Sequence, residues 1–328
     1  MISRVADSCF WLGRYIERIE ATARLLSVTR NLAMDAELEP RECWLPVVIV
    51  IGEEPQFVQM TTEMAIPVTS GEQVERYMTW DEDNMSSIRQ SVSAARENAR
   101  QIREVISLEV WETVNELYLW MGSTDARTEY ANERYAFYRY VLQRCQLMAG
   151  LLRSTMLHEL PLNFVWLGML MERAGQTARV VDVQHHALMS YERENQVIET
   201  ALWLSLLRAC SAFEPFTKRN RGRITGDAVA NFLIFEPLFP KSIAYSVHEA
   251  FCRFVVIRPP EETTLPGEAT QERLRALDGW IASHAESGVD GDVHAVLTHV
   301  VDEVAEICSG LGHELFGHRS DAELESAQ

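Results

Sequence analysis

The segment Trp11–Met34 reads WLGRYIERIEATARLLSVTRNLAM, and Trp166–Met189 reads WLGMLMERAGQTARVVDVQHHALM. Both contain the pattern W-L-G-x-x-x-E-R-x-x-x-T-A-R, and the second copy begins 155 positions after the first (166 − 11). In each copy apolar residues recur at the spacing of one helix face, and no proline interrupts them. The repeated stretch therefore predicts two long helices at the centre of the protein.

Glycine occurs at the same place in both predicted helices, as Gly13 and Gly168. Inside a helix, glycine costs about 1 kcal/mol relative to alanine. A close approach by the backbone of another helix would explain why both copies tolerate that cost.

Adjacent glutamate and arginine residues are the unusual part of the motif. Glu17 and Arg18 point about 100° apart around a helix, so they do not easily pair with each other. Within the first copy, Glu17 can reach Arg14 one turn back, and Glu20 can reach Arg24 at i+4.

The second copy lacks those local pairs but keeps the other charges. Met169 replaces the first arginine and Gly175 replaces the second glutamate, whereas Glu172, Arg173 and Arg179 are retained. We infer that the retained charges have partners on other helices.

Reciprocal pairing across a pseudo-twofold axis is the specific hypothesis. It pairs Glu17 with Arg173, and Glu172 with Arg18. The alternative is that both motifs lie on solvated helix faces. Together with Arg24 and Arg179, these residues are our candidates for binding a ligand or partner, and no catalytic residue is assigned.

Length and charge bound the class of protein. The chain has 328 residues, 47% of them hydrophobic, and a formal net charge of −18. That composition supports a substantial core. The acidic balance argues against nucleic acid, whose phosphates need a basic surface, and against anionic membranes.

The cysteines and apolar runs indicate a soluble cytoplasmic protein. Six cysteines are scattered singly with no C-x-x-C, so they read as small buried hydrophobes in a reducing compartment. Charges interrupt the first apolar run, which argues against a signal peptide. The longest apolar run, 44–51, is too short to span a bilayer.

The 155-residue offset extends beyond the two motifs and predicts an internal duplication. Gly71, for example, corresponds to Gly226 at this offset. Many apolar residues that follow each of these glycines also correspond to one another. We predict an all-α bundle of about twelve helices, built from two tandem pseudo-twofold repeats. The repeats are 1–160 and 161–318, packed into one globule, with a frayed tail at 319–328. The predicted helices lie near 4–34, 41–52, 71–79, 84–106, 107–121, 128–157, 162–190, 194–215, 226–235, 240–257, 268–286 and 290–316.

Two further groups are candidate sites. Asp182, His185 and His186 share one helix face as metal ligands do, but histidine near a helix C-terminus is the plainer interpretation. We therefore predict no metal site, and no phosphate- or dinucleotide-binding motif points to a cofactor.

The second group is the basic loop, residues 218–223, which reads KRNRGR in a strongly acidic chain. The equivalent residues of the first half, 63–68, are acidic or apolar. Arg219, Arg221 and Arg223 are candidates for recognising a carboxylate, a phosphate or an acidic partner. Charge balance on a solvated loop is the alternative.

The duplicated motif, together with AARENARQIRE at 94–104, resembles the alpha-E family, a bacterial all-helical domain named for its Glu-Arg motif. The resemblance covers nearly the whole chain and places that motif at 17–18 and 172–173. Met169 departs from the arginine usual before the second motif, which puts strict symmetry of a charged site in doubt.

The resemblance implies a partner. Family members are typically encoded beside, or fused to, circularly permuted ATP-grasp proteins, which join carboxylates to amines through acyl phosphates. It therefore implies a role in peptide or amide-bond synthesis, either as a non-catalytic partner that presents a peptide or amino-acid substrate, or as an enzyme with a Glu/Arg site between the repeats. A purely structural oligomer is the third interpretation.

Overall fold

The computed structural model describes residues 3–35, 39–63, 70–190, 196–222, 224–286, 288 and 292–318, and every regular element in these ranges is a helix. These ranges contain fifteen α-helices and a short π-helix, Gly312–Phe316. In chain order the α-helices are α1 Ser3–Asp35, α2 Pro40–Ile51, α3 Glu54–Glu63, α4 Gly71–Trp80, α5 Ile88–Gln101, α6 Leu108–Met121, α7 Thr124–Asn132, α8 Arg134–Thr155, α9 Leu160–Ser190, α10 Gln196–Ala209, α11 Phe213–Arg219, α12 Gly226–Phe235, α13 Ile243–Ile257, α14 Glu268–Ala285 and α15 Val293–Leu311.

Twelve helices were predicted, and the described ranges contain fifteen α-helices. One of the fifteen was not predicted, and two predicted helices are each divided in two. Helix α3 lies between the predicted helices 41–52 and 71–79, where no helix was predicted. The predicted helix 128–157 is divided at Glu133, whose φ of −138° and ψ of 64° are not helical. The predicted helix 194–215 is divided at Ser211, whose φ of 56° is left-handed. Neither break carries the glycine or proline that usually marks one.

Helices α1 and α9 form the centre of the protein. They pack on each other more extensively than any other two described helices. Helices α5 and α8 pack on α1, and α13 and α15 pack on α9. In addition, α2 crosses to pack on α9, and α10 crosses to pack on α1. Buried residues of both central helices, such as Leu12 and Leu167, belong to one hydrophobic core.

Several helix bounds recur at the 155-residue offset. Helices α4 and α12 begin and end 155 positions apart. Ser87 caps the N-terminus of α5 by accepting a hydrogen bond from the Gln90 N–H, and Ser242 caps α13 from the Tyr245 N–H. The same cap residue therefore begins the same helix in each half.

The two predicted glycine contacts are present where α1 and α9 cross. A Cβ on Gly13 would lie 2.0 Å from the carbonyl oxygen of Val165. A Cβ on Gly168 would lie 2.0 Å from the carbonyl oxygen of Phe10. Each glycine thus lets the other helix's backbone approach, and this closeness brings the charged residues one turn further on within reach of each other.

No helix in the described ranges combines the length and apolar character needed to cross a bilayer.

Candidate functional site

The charged residues of the two motifs meet at the crossing of α1 and α9. Arg18 donates from Nε to Oε1 of Glu172 at 2.7 Å and from Nη2 to Oε2 at 3.1 Å. Arg173 donates from Nε to Oε1 of Glu17 at 2.8 Å and from Nη2 to Oε2 at 2.7 Å. The predicted reciprocal pairs are therefore confirmed, and both are bidentate.

Both carboxylates are removed from water. The side chains of Glu17 and Glu172 are 2% and 1% exposed. A buried carboxylate is strongly destabilising unless it is paired and hydrogen-bonded. Burial raises the pKa of Glu172, but attraction from Arg18 and Arg14 outweighs that effect and holds the pKa well below its usual range. Glu172 is therefore ionised at neutral pH.

Arg14 joins the second carboxylate rather than the first. It donates from Nε to Oε2 of Glu172 at 2.8 Å, so the predicted local pair with Glu17 is wrong. Arg14 and Arg18 are four residues apart and share the face of α1 that meets α9, which explains why both reach Glu172. Their guanidinium groups also lie over Trp11 and Tyr15, at 4.7 Å and 5.4 Å from the ring centroids.

Lys241 completes the group around the first carboxylate. Its Nζ lies 3.6 Å from Glu17 and 2.8 Å from Glu20. The predicted pair between Glu20 and Arg24 is confirmed at 2.8 Å. Burial raises the pKa of Glu20, but the attraction and hydrogen bonds of Lys241 and Arg24 dominate and lower it to about 2. The lysine supplies the cation that Met169 does not.

Arg179 is the cation least well matched in the cluster. Burial and the nearby Arg18 and Arg14 lower its pKa, while attraction to Glu172 opposes that change. Its Nε is buried and has no hydrogen-bond partner in the described part of the chain. The inference that the retained charges have partners on other helices is therefore confirmed for Glu172 and Arg173. It fails for Arg179, which is attracted to Glu172 on its own helix. Gly175, which replaces the glutamate of the first copy, leaves Arg179 without that local partner.

The basic loop begins at the end of α11. Arg219 pairs with Glu236 at 3.3 Å, and Arg221 is exposed. Arg223 lies outside the described residues. No described hydrogen bond or ion pair joins the loop to the cluster around Glu17, so the predicted binding residues occupy two separate places.

The histidines of α9 do not form a metal centre among the residues described. No group of three or more histidine, cysteine or acidic residues is placed to hold a metal in those ranges. Asp182 instead bonds Nδ1 of His294 at 2.7 Å, and the His185 ring lies 5.9 Å from Trp203. The side chain of His186 is outside the described part of the structure.

All six cysteines are unreactive in character. Burial raises the pKa of Cys9 and Cys210 to about 12 and that of Cys43 to about 11. Burial also raises the pKa of Cys145, Cys252 and Cys308. The thiolate is the nucleophilic form, so these thiols are poor nucleophiles at neutral pH.

A further buried carboxylate, Glu75, was not predicted from the sequence. It is 1% exposed, and Arg30 and Arg134 each donate to it at 2.8 Å. The hydroxyl of Tyr138 also donates to it, at 3.4 Å. Its counterpart at the 155-residue offset is Ala230, so the comparison of the two halves did not mark it.

Comparisons with known proteins place this geometry in context. The model of the Alpha-E family, described as "a predicted alpha-helical domain with a conserved ER motif", matches residues 1–316. The chain is 22% identical over 264 residues to "Uncharacterized protein Mb2597" of Mycobacterium bovis and to "Uncharacterized protein Rv2567" of Mycobacterium tuberculosis. Each match covers 74% of this chain but only 28% of the mycobacterial protein. No solved structure matches.

Proposed function

The chain belongs to the Alpha-E family, and from that premise we propose that it is a non-catalytic helical partner, or substrate-presenting subunit, of an ATP-grasp-type amide or peptide ligase. The expected partner is a circularly permuted ATP-grasp protein in the cytoplasm. A peptide or amino acid is the expected substrate of the pair.

The observation that carries the non-catalytic role is the mutual neutralisation of the motif's charges. A general base works best with a pKa near the working pH, and a carboxylate held ionised by two arginines is a weak base. Glu172 has that environment, and Glu17 is fully engaged by Arg173. The Glu-Arg motif is therefore better explained as a structural ion-pair cluster than as a catalytic acid–base pair.

The length of the relatives supports a partner role. The chain spans less than a third of the length of the mycobacterial proteins it matches. In those proteins the helical domain and an additional segment belong to the same chain. The helical domain is therefore suited to bind a separate protein that is equivalent to the additional segment.

The architecture that we propose for this role is two pseudo-twofold repeats, 1–160 and 161–318. The 155-residue spacing of helix bounds and caps supports it. The close contacts of Gly13 and Gly168 also support it. These glycines approach the carbonyl oxygens of Val165 and Phe10, and those two residues are likewise 155 positions apart.

An enzyme of amide-bond synthesis, with a Glu/Arg site between the repeats, is the alternative. The observation that favours it is the buried Nε of Arg179, which lacks a hydrogen-bond partner among the described residues beside Glu172. An arginine in that position is suited to clamp the carboxylate or acyl phosphate of a substrate.

The test is co-purification of the chain with a circularly permuted ATP-grasp protein encoded beside it, followed by ATP turnover with amino acids, with and without the chain. We expect a complex and a faster turnover by the ligase. No complex and no change in turnover overturns the proposal. Amide formation by the chain alone, abolished by Arg179→Gln, instead supports the enzymatic alternative.

The basic loop is tested in the same assay. Arg219→Ala, Arg221→Ala and Arg223→Ala are combined in one variant, and Arg100→Ala, which removes an exposed arginine paired with Glu97 on α5, is the control. Weaker complex formation by the triple variant alone assigns the loop to the interface. Equal binding by both variants leaves charge balance as the role of the loop.

A further inference from the structure

A cavity of about 470 Å³ lies between α1, α8 and the junction of α10 with α11. Its walls include Arg24 from α1, Tyr135 and Arg139 from α8, Arg208 from α10, and Ser211 from the junction. Its volume falls in the range of small-molecule sites, about 300–1,000 Å³. No residue of the motif other than Arg24 lines it, so it is distinct from the paired glutamates.

The walls of this cavity are basic in a strongly acidic protein. Arg24, Arg139 and Arg208 come from three different helices, and Glu214 is the one carboxylate among the lining residues. The side chains of Arg139 and Arg208 are exposed and make no described ion pair. Three arginines that converge from separate elements are suited to an oxyanion, because each guanidinium offers several donors in a planar fork.

Two of the lining residues each carry a buried polar atom without a partner in the described structure. These atoms are Nε of Arg24 and Oγ of Ser211. Arg24 uses Nη2 to bond Glu20, so its Nε donor remains for another acceptor. A buried donor without an acceptor destabilises the folded state, and the oxygens of a carboxylate or phosphate are suitable acceptors for both groups.

Ser211 has a strained backbone at this place. It is the one non-glycine residue with positive φ in the described ranges, at 56°. The N–H of Ser211 donates to the carbonyl of Arg208, and the N–H of Ala212 donates to the carbonyl of Leu207, which together end α10. Left-handed conformations of ordinary residues are costly and cluster at binding sites. The turn places Ser211 close to Arg208, and both residues line the cavity.

Aromatic rings form the remaining wall. Tyr135 is 60% exposed, and Arg139 lies over its ring at 5.5 Å. Phe213 also lines the cavity, and Arg208 lies over its ring at 5.5 Å. These contacts hold two guanidinium groups against apolar surfaces, so an anion bound by them would have its apolar part beside the rings.

The second half does not repeat this arrangement. At the 155-residue offset, Asp182 replaces Ser27 of the cavity wall and His294 replaces Arg139. Asp182 and His294 bond each other at 2.7 Å. A carboxylate that pairs with an imidazole makes those two positions unsuited to an anion, so the basic cavity has no equivalent there.

We propose that this cavity is a binding site for a small oxyanion, a carboxylate or a phosphate, attached to an apolar or aromatic group. The site does not depend on the ATP-grasp partner proposed above. The shared chemistry of the two anions is a planar or tetrahedral cluster of oxygens accepting from Arg24, Arg139, Arg208 and Ser211.

Isothermal titration of the full chain with phenyl phosphate, benzoate and phenol tests the proposal. We expect one site for an anion, no binding of neutral phenol, and weaker binding as sodium chloride rises. Tighter binding of phenyl phosphate identifies the natural group as a phosphate, and tighter binding of benzoate identifies it as a carboxylate. Absence of binding by both anions, or equal binding of phenol, overturns the proposal.

Matched variants then locate the site. We expect Arg139→Gln and Arg208→Gln each to weaken anion binding about fivefold, since both cations are solvent-exposed. Ser211→Gly keeps the left-handed backbone without strain and removes the hydroxyl, and we expect binding about threefold weaker. The control is Arg89→Gln, in a separate cavity of about 350 Å³, where it pairs with Glu82 at 3.0 Å. Equal losses in Arg89→Gln and the three site variants overturn the proposal.

Discussion

The glycine contacts between α1 and α9 predict that adding a single methyl group destabilises the centre of the protein. In Gly168→Ala the new Cβ would lie 2.0 Å from the carbonyl oxygen of Phe10, and in Gly13→Ala it would lie 2.0 Å from that of Val165. Ordinary contacts of this kind are more than 1 Å longer. The obstructing atoms are backbone, so they cannot rotate away, and the helices must separate.

The magnitude follows from three contributions. Overpacking a tight contact costs about 1–3 kcal/mol. Separating the helices also stretches the 2.7 Å hydrogen bond from Arg18 to Glu172, and a charged hydrogen bond contributes about 1.5–3 kcal/mol. The better helix propensity of alanine offsets about 1 kcal/mol. We expect each variant to lose about 2–4 kcal/mol of unfolding free energy.

Urea unfolding followed by circular dichroism measures that loss. The unfolding entropy of a 328-residue chain, at about 2.1 cal/mol/K per residue, is about 0.7 kcal/mol/K, so Tm should fall by about 3–6 °C. Gly150→Ala in α8 and Gly279→Ala in α14 are matched controls, because nothing lies within 4 Å of the added Cβ. They should gain about 0.5–1 kcal/mol. Equal stability of Gly168→Ala and Gly150→Ala would refute the close-approach explanation.

Three further predictions concern the charged centre and the thiols. Glu172→Gln should lose about 3–5 kcal/mol in urea unfolding because it leaves buried arginines uncompensated. The control, Glu97→Gln on the exposed surface, should leave the urea midpoint nearly unchanged. The free energy of unfolding should fall as the pH drops from about 4.5 towards 2. Glu172 and Glu20 have lowered pKa values in the folded state, about 2 for Glu20, so the unfolded chain binds protons that the folded chain does not. A urea midpoint that stays constant over that pH range would contradict the lowered pKa values. Cys9 and Cys210, whose pKa values burial raises to about 12, should resist iodoacetamide at pH 8 until the chain is unfolded. Mass spectrometry of the labelled peptides measures this reaction. Rapid labelling of the native chain would contradict the burial of the two thiols.

The sequence was informative about the fold wherever the two halves agree. The duplicated motif identified α1 and α9, and the shared glycines indicated their crossing. It was least informative at the interruptions of helices. Glu133 and Ser211 are ordinary residues whose backbones leave the helix, so local propensity at those positions gave no warning. This limit accounts for the two predicted helices that are each divided in two, but not for the absence of α3 from the prediction.

For the charged centre, the sequence predicted the reciprocal pairs but not all their neighbours. Pairing of Glu17 and Glu172 follows from charges retained after local partners were lost. The reach of Arg14 to α9, and of Lys241 to α1, depends on how far and at what angle the helices cross. Sequence spacing within one helix does not contain that information.

The exchange of charges at the crossing has a consequence for the internal duplication that we propose. Each motif carries a glutamate whose counterion belongs to the other motif, so under that proposal a single unit would obtain this pairing only from a second molecule of itself. Joining two such units in one chain makes that pairing intramolecular and independent of concentration. Once tethered, the two sides no longer had to be identical. We infer that this freedom is what allowed Met169 and Gly175 to replace charged residues on one side while Lys241 was recruited to the other.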